Sequence, residues 1–346
     1  MKGFAFQRRK VVPLAVAALA LSASTGLTAT AVAATGTLNG AGSTLVAPLE
    51  AEWASGFNSR TGNTVNYQAV GSGTGISDIS KGVVDFGASD APLSSTQAAG
   101  CANCIQMPWA LSATGVGYNV PGAGNRLRLT GSVLANIYLG KITNWDAPQI
   151  KALNKGAHLP NLKITPVHRS DGSGDTYAFT NYLNHISSAW RSQVGPPATS
   201  VSFPTGVSGS GNSGVTAVLQ DTSGAIAYIA VSYLIAHKLP AVAVQNAADK
   251  YEYPNLANIE NAAAVVKHVP GSGALSIVDP PKSAKIAYPI STFTYVIAPT
   301  TAPQGALLES FIKYALTTGH SFGENLDFAP LPKVVQKYDE SAANRL

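Results

Sequence analysis

Three glycine- and serine-rich turns interrupt this chain between hydrophobic segments, and they constrain its fold more than any other feature. Gly40-Ala41-Gly42-Ser43-Thr44 leads into a helical pattern at 48–57. Val70-Gly71-Ser72-Gly73-Thr74-Gly75 follows a β-branched and aromatic stretch at 64–67 and leads into a second helix, beginning at 76–79. Arg169-Ser170-Asp171-Gly172-Ser173-Gly174-Asp175-Thr176 follows a strand at 164–168 and opens a helix over 176–186. Repeated strand–turn–helix junctions predict an α/β architecture with helices on both faces of the sheet. Elsewhere the pattern predicts strands at 83–86, 115–120, 225–229 and 293–297, and helices at 131–139, 215–219 and, closing the chain, 304–315. Proline-bearing segments near Pro108 and Pro289 flank strands and are expected to carry the chain between lobes.

The same turns have a chemical reading. A helix N-terminus leaves backbone N–H groups unpaired and carries partial positive charge. Glycine lets an anion approach the backbone closely, and Ser or Thr adds a hydroxyl donor. One such turn is accounted for by ordinary N-capping. Three of them, with Arg169 beside one, point to an anion. Against that background, Asp90 in Val84-Asp85-Phe86-Gly87-Ala88-Ser89-Asp90-Ala91-Pro92-Leu93 is out of place unless the anion carries a proton. A carboxylate accepts such a proton as a hydrogen bond and turns away anions that have none.

Lys2, Arg8, Arg9 and Lys10, the apolar run 11–21 and the A-x-A signal Ala31-Val32-Ala33 read as a cleaved secretory leader over 1–33. The apolar run is too short to cross a bilayer. No cysteine stands at the cleavage site for lipid attachment, so a periplasmic or extracellular protein is expected. The whole chain has 23 Lys and Arg against 18 Asp and Glu. Removing the leader's four bases leaves 19 against 18, so a basic surface for nucleic acid is unsupported. The two cysteines, Cys101 and Cys104, are expected to form a local disulfide in an exported protein. A redox-active pair is the second reading, and two ligands are too few for zinc.

Other signals fall away. Gly209-Ser210-Gly211-Asn212-Ser213-Gly214 fits G-x-G-x-x-G, but the next acid, Asp221, comes too soon for a dinucleotide site. Neither a G-x-x-x-x-G-K-[ST] loop nor a G-x-S-x-G elbow occurs. His168 precedes Arg169 and reads as a structural strand-end residue. Trp53, Trp109, Trp145 and Trp190 read as packing residues.

The motifs together resemble the phosphate-binding proteins of bacterial high-affinity phosphate ABC importers, over nearly the whole chain beyond the leader. The resemblance is carried by Gly40-Ala41-Gly42-Ser43-Thr44 with Ala47-Pro48, Val65-Asn66-Tyr67-Gln68 leading to Gly71-Ser72, and Asp85 to Leu93. It continues through Ile137-Tyr138-Leu139-Gly140-Lys141-Ile142 with Trp145, Arg169 to Gly174, Gly211-Asn212-Ser213-Gly214-Val215 and Gly224-Ala225-Ile226-Ala227-Tyr228.

The resemblance implies a two-lobed periplasmic-binding-protein fold of type II. Each lobe would be a mixed sheet flanked by helices, with the ligand in the cleft between them. Lobe one would comprise 34–114 and 286–346, and lobe two 115–285. The phosphate contacts it implies are Thr44, Leu45 (amide), Ser72, Asp90, Arg169, Ser173 and the amides of Gly174 and Asp175, with Asp171 pairing Arg169. It also implies a membrane permease as partner, a monomer, no cofactor or metal, and no catalysis. A secreted phosphatase-like enzyme and a receptor for another protonated tetrahedral oxyanion, arsenate, are the alternatives. Two positions depart from the family pattern. Leu45 replaces a Phe, which matters little for an amide contact. Asp175 stands where a Thr is common. Either its carboxylate turns away toward the helix N-terminus, or it accepts a second proton and the site takes monoanionic phosphate.

Overall fold

Fifteen consecutive residues, Cys104–Tyr118, form a strand that is buried along nearly its whole length and holds the architecture together. A computed structural model describes residues 35–346; the expected leader and its cleavage signal lie outside the described residues. The strands in chain order are β1 (Thr37–Gly42), β2 (Thr64–Gln68), β3 (Phe86–Ser89), β4 (Cys104–Tyr118), β5 (Arg128–Leu129), β6 (Thr165–Arg169), β7 (Val207–Gly209), β8 (Ala225–Ala230), β9 (Ala243–Gln245), β10 (Tyr251–Glu252) and β11 (Ser291–Pro299). Eight of them make one continuous sheet in the order β2-β1-β3-β11-β4-β8-β6-β7, and β10-β9-β5 make a small second sheet. β1 runs parallel to β2 and β3, and β6 runs parallel to β7 and β8. Between these sets β11 and β4 are antiparallel. β4 pairs with β11 through Ala113 and with β8 from Thr114 onward.

The central place of β4 explains why alternation revealed only its C-terminal part. A strand covered on both faces has no polar side to alternate with. Pro108, expected in a connection, lies inside β4. Tyr295 of β11 faces Pro108 and Thr294 faces Ala110, so Trp109 is the extra residue of a bulge. A bulge tolerates the proline because the ladder already lacks a bond there. Pro289 does stand in the approach to β11.

Other differences are local. The strand expected at 83–86 is β3 at Phe86–Ser89, and Val83 is 66% exposed in the preceding turn. The helices Ser72–Ser80, Gly174–Ile186 and Gly211–Asp221 start inside their glycine turns rather than after them. Gly305–Leu316 does not close the chain: a further helix, Lys333–Ala343, follows it, with Val335, Asp339, Ala342 and Ala343 inward at helical spacing.

Apolar side chains form two main bodies of core. One gathers Trp53, Phe57, Phe86, Trp109 and Phe311. The other gathers Tyr118, Tyr138, Trp145, Phe179 and Trp190. All four tryptophans are therefore packing residues, as expected. Trp53 and Trp145 also donate their indole N–H to the carbonyls of Gly319 and Gly224, both at 2.9 Å. Truncating any of them costs about 3–5 kcal/mol, because the cavity only partly collapses.

Asp339 is an exception among these buried side chains. It is fully buried, and among the described residues neither carboxyl oxygen has a hydrogen-bond partner. Burial pushes its carboxyl up to about 9. A carboxyl raised in the fold and ordinary in the unfolded chain supports the fold at acid pH. That support drains away as pH climbs from about 4 toward the folded value. Asp339→Asn should therefore change thermal stability little near pH 5 and raise it at pH 8 by several degrees, at roughly 2–4 °C per kcal/mol. A melting difference that does not grow between pH 5 and 8 contradicts this.

Candidate functional site

The C-terminal ends of the parallel strands converge, which is where open α/β sheets place their ligand crevices. β1 delivers Ser43 and Thr44, β2 leads to Gly71 and Ser72, and β3 runs into Asp90. From the other side β6 ends in Arg169, followed by the turn to Ser173, and β7 leads into the helix at Gly211.

Asp90 is 1% exposed and sits in a ring of hydroxyls. Ser43 Oγ lies 2.6 and 2.7 Å from its two carboxyl oxygens, and Thr294 Oγ1 donates to Oδ1 at 2.9 Å. Ser72 Oγ donates to Oδ2 at 3.4 Å and accepts from the backbone N–H groups of Asp90 (3.2 Å) and Gly174 (3.1 Å). One donor and two acceptor places of the Ser72 hydroxyl are thus all in use. Burial and the nearby Asp175 charge push the Asp90 carboxyl up to about 7, against the pull of Ser43, Thr294 and Arg169.

Arg169, 6% exposed, is held by two acids. Its Nε donates to Asp171 Oδ1 at 2.8 Å and its Nη2 to Asp171 Oδ2, while Nη1 donates to Asp175 Oδ2 at 3.1 Å. Its backbone N–H donates to the Tyr228 hydroxyl at 2.9 Å. Burial works against the Arg169 charge, but the two carboxylates outweigh it and the guanidinium shifts upward. Burial likewise raises the Asp171 carboxyl, yet its guanidinium partner prevails and the net shift is downward. Asp175 is more deeply buried and its net shift is upward. Desolvation there outweighs Arg169, Thr114 and Asn212.

The two sides touch directly. Asn212 Nδ2 donates to Thr44 Oγ1 and to Asp175 Oδ2, both at 2.8 Å, and its Oδ1 accepts from the Ala230 N–H at 2.9 Å. Gly73 N–H donates to the Gly172 carbonyl at 2.9 Å. This approach leaves no room for side chains at two glycines. A Cβ on Gly71, whose φ is +92°, would lie 2.3 Å from Asp171 Oδ2, and one on Gly174 would lie 2.4 Å from Asp90 Cβ.

All eight residues expected to form the contact set, together with Asp171, meet in this cluster. The Leu45 side chain is in the core, and its amide donates to Ser43 Oγ at 3.0 Å. Ser173 caps the helix Gly174–Ile186, accepting from the amides of Asp175 and Thr176. Cys101 and Cys104 lie outside the cluster and are joined as a disulfide. His168 stacks on Phe203 with ring centres 4.6 Å apart, and its Nδ1 is 3.2 Å from the Arg169 carbonyl. Among the described residues no histidine hydrogen-bonds Ser72 or Ser173. A surface cavity of about 500 Å³ between Lys81, Asp85, Asn103 and Pro303 lies by the opposite end of β3.

Sequence reasoning missed Ser43, Asn212, Thr114 and Thr294 as members. Ser43 and Asn212 stand inside motifs already singled out, so a signal existed. Thr114 and Thr294 lie 61 and 204 residues from their carboxylate partners and leave no local trace.

The PBP superfamily domain matches residues 28–318 of this chain. The chain is 37% identical over 313 residues to the phosphate-binding protein PstS of Xylella fastidiosa (strain Temecula1), spanning 88% of this chain and 84% of that one. It is 35% identical over 306 residues to the PstS of Pasteurella multocida, spanning 87% and 88% respectively. Its fold is similar to that of a high-affinity periplasmic phosphate-binding protein solved with bound phosphate at pH 8.5. That match has 22% identity and a TM-score of 0.72, covering 89% of this chain and 93% of the other. The two-lobed α/β architecture expected from the sequence is thus the one the chain shares, and the chain belongs to the PstS phosphate-binding protein family of the PBP superfamily.

Proposed function

We propose that this protein is an exported receptor that captures inorganic phosphate between two lobes and hands it to the permease of an ABC importer. The observation that carries this reading is a buried acceptor, Asp90, set among donors within the cluster that holds Arg169. On binding, the hydroxyls of Thr44, Ser72 and Ser173 and the amides of Leu45, Gly174 and Asp175 would turn to the anion from their present partners, Ser72 giving up its bond to Asp90. Arg169 keeps two of its five N–H groups beyond those its acids use. Asp90 accepts the hydrogen of a protonated oxyanion. Sulfate, fully ionised at neutral pH, would set acceptor against acceptor.

Lobe one is taken as the mature chain through 114 with 286–346, and lobe two as 115–285, so that β4 passes between them where its partner changes. Among the described residues no helix is long and apolar enough to cross a membrane, which suits a receptor working outside the permease. Binding rather than catalysis suits a site that offers a tetrahedral anion donors and an acceptor and in which, among the described residues, no histidine meets Ser72 or Ser173. Arsenate, which keeps a proton, should compete with phosphate.

Calorimetric titration at pH 7 should give micromolar or tighter phosphate binding and no heat with sulfate. In Asp90→Asn the preference for phosphate over sulfate should fall by at least about tenfold, the cost of one mismatched buried hydrogen bond. Absence of phosphate binding by the native protein would refute the reading, as would an Asp90→Asn variant of unchanged selectivity.

Asn212→Ala should weaken phosphate binding about ten- to a hundredfold, mostly by faster release, because it removes the bond to Thr44 and strands the Ala230 amide. Stopped-flow displacement would read this. An unchanged release rate would mean that the Thr44 link does not hold the two sides together.

A further inference from the structure

We propose that Asp175 makes phosphate capture by this site take up one proton, so that the species held is the monoanion rather than the dianion. This deepens the phosphate reading and rests on it.

The inference begins with the charges enclosed. Among the described residues facing Asp175, Arg169 is the one cation, while Asp171, Asp175 itself and Asp90 are acids. The Tyr228 and Tyr233 hydroxyls also face Asp175 and stay neutral, their ionisation raised by burial first and by Asp175 as a lesser cause. Thr114 and Asn212 add uncharged donors. Ionised throughout, the cluster carries two negative charges before any anion enters. A dianion would bring that to four, in a place where Asp90 and Asp175 are both almost wholly shielded from water.

Asp175 does not turn toward solvent. Its Oδ1 accepts from Thr114 at 2.7 Å, and its Oδ2 accepts from Arg169 and Asn212. Three donors, one of them the Arg169 guanidinium, fix its orientation and commit part of the Arg169 charge to it. Like charges in one buried site cannot both stay ionised cheaply, so the extra proton goes to the Asp90–phosphate contact. The balance is simple: dianionic phosphate and one proton from solvent give the bound monoanion, with one O–H bond formed and none broken. That hydrogen rides on a phosphate oxygen, and the enclosed negative charge falls by one. A threonine at 175 would leave Arg169 less neutralised and remove the need for the second proton. Asp175 is thus a positioning and charge-setting residue that acts through Arg169 and Asp90.

The test is phosphate titration between pH 7.5 and 8.5 in buffers of different ionisation heat, which counts protons directly. The native protein should take up about one proton per phosphate, with Kd rising about tenfold over that unit of pH. Asp175→Thr and the isosteric Asp175→Asn should take up close to none and show a nearly flat Kd, with circular dichroism verifying their folding. A native proton count near zero overturns the proposal even if neither variant folds. A count in either folded variant equal to the native one overturns it as well. A native protein that gives no heat with phosphate would instead refute the function proposed above.

Discussion

The Asp90 carboxylate and its hydroxyl donors are the interaction on which the rest of this structure depends. Ser43, Ser72 and Thr294 reach it from the ends of β1 and β2 and from within β11. Two of those hydroxyls have a second duty. Ser43 Oγ accepts from the amides of Leu45 and Val46 at the start of the helix Ala47–Thr61, and Ser72 accepts from Gly174 across the cluster. A buried carboxylate with fewer partners would be driven neutral or out to solvent. Satisfying it fixes the register of three strand ends at once. The sheet order supports this, because β3 and β11 are neighbours and Thr292 Oγ1 also donates to the Asp90 carbonyl at 3.1 Å.

Arg169 poses the complementary problem. Its guanidinium is almost as shielded as Asp90, and only charged partners can hold it there. Asp171 takes two of its N–H groups from the turn that follows β6, and Asp175 takes a third from the first turn of the next helix. Asp171 is anchored in turn by the Gly211 amide at 2.9 Å. Both acids are therefore supported by backbone or side-chain donors, so the fork cannot swing without breaking a chain of bonds. That rigidity matters more than the attraction of one positive charge, which the two acids more than offset.

Much of this was legible in the sequence, for physical reasons that differ by residue. The glycine turns were readable because Gly, Ser and Thr at a strand–helix junction have few other uses. They lead to Thr44, Ser72 and Ser173, which the fold gathers into one cluster, and there Asp171 lies against Arg169. β4 was mostly invisible because a strand buried on both faces lacks alternation, and Pro108 argued against it until the bulge at Trp109 explained how it is tolerated. Thr294 and Thr114 were invisible because their partners are brought close only by the antiparallel neighbours β11 and β4. Asp175 was noticed for the right reason, as an acid where a hydroxyl was expected. The direction of its carboxylate depended on Thr114 and Asn212, which no local pattern connects to it.

Affinity and selectivity arise from different groups in such a site. Helix-start amides, hydroxyls and Arg169 attract any tetrahedral oxyanion, and their contributions hardly distinguish phosphate from sulfate. On the proposed reading, discrimination would come from the acid, which adds nothing favourable for an anion lacking a hydrogen and would leave two acceptors facing each other. A mismatch of about 1–3 kcal/mol per unmade buried bond, larger where charge is involved, corresponds to roughly ten- to more than a hundredfold in binding. The shielding that makes Asp90 costly to ionise is what gives the mismatch its size: the same carboxylate in water would turn outward and be solvated. Depth of burial, secured by the close approach at Gly71 and Gly174, is therefore the quantity that would convert one acidic side chain into selectivity under the proposed function.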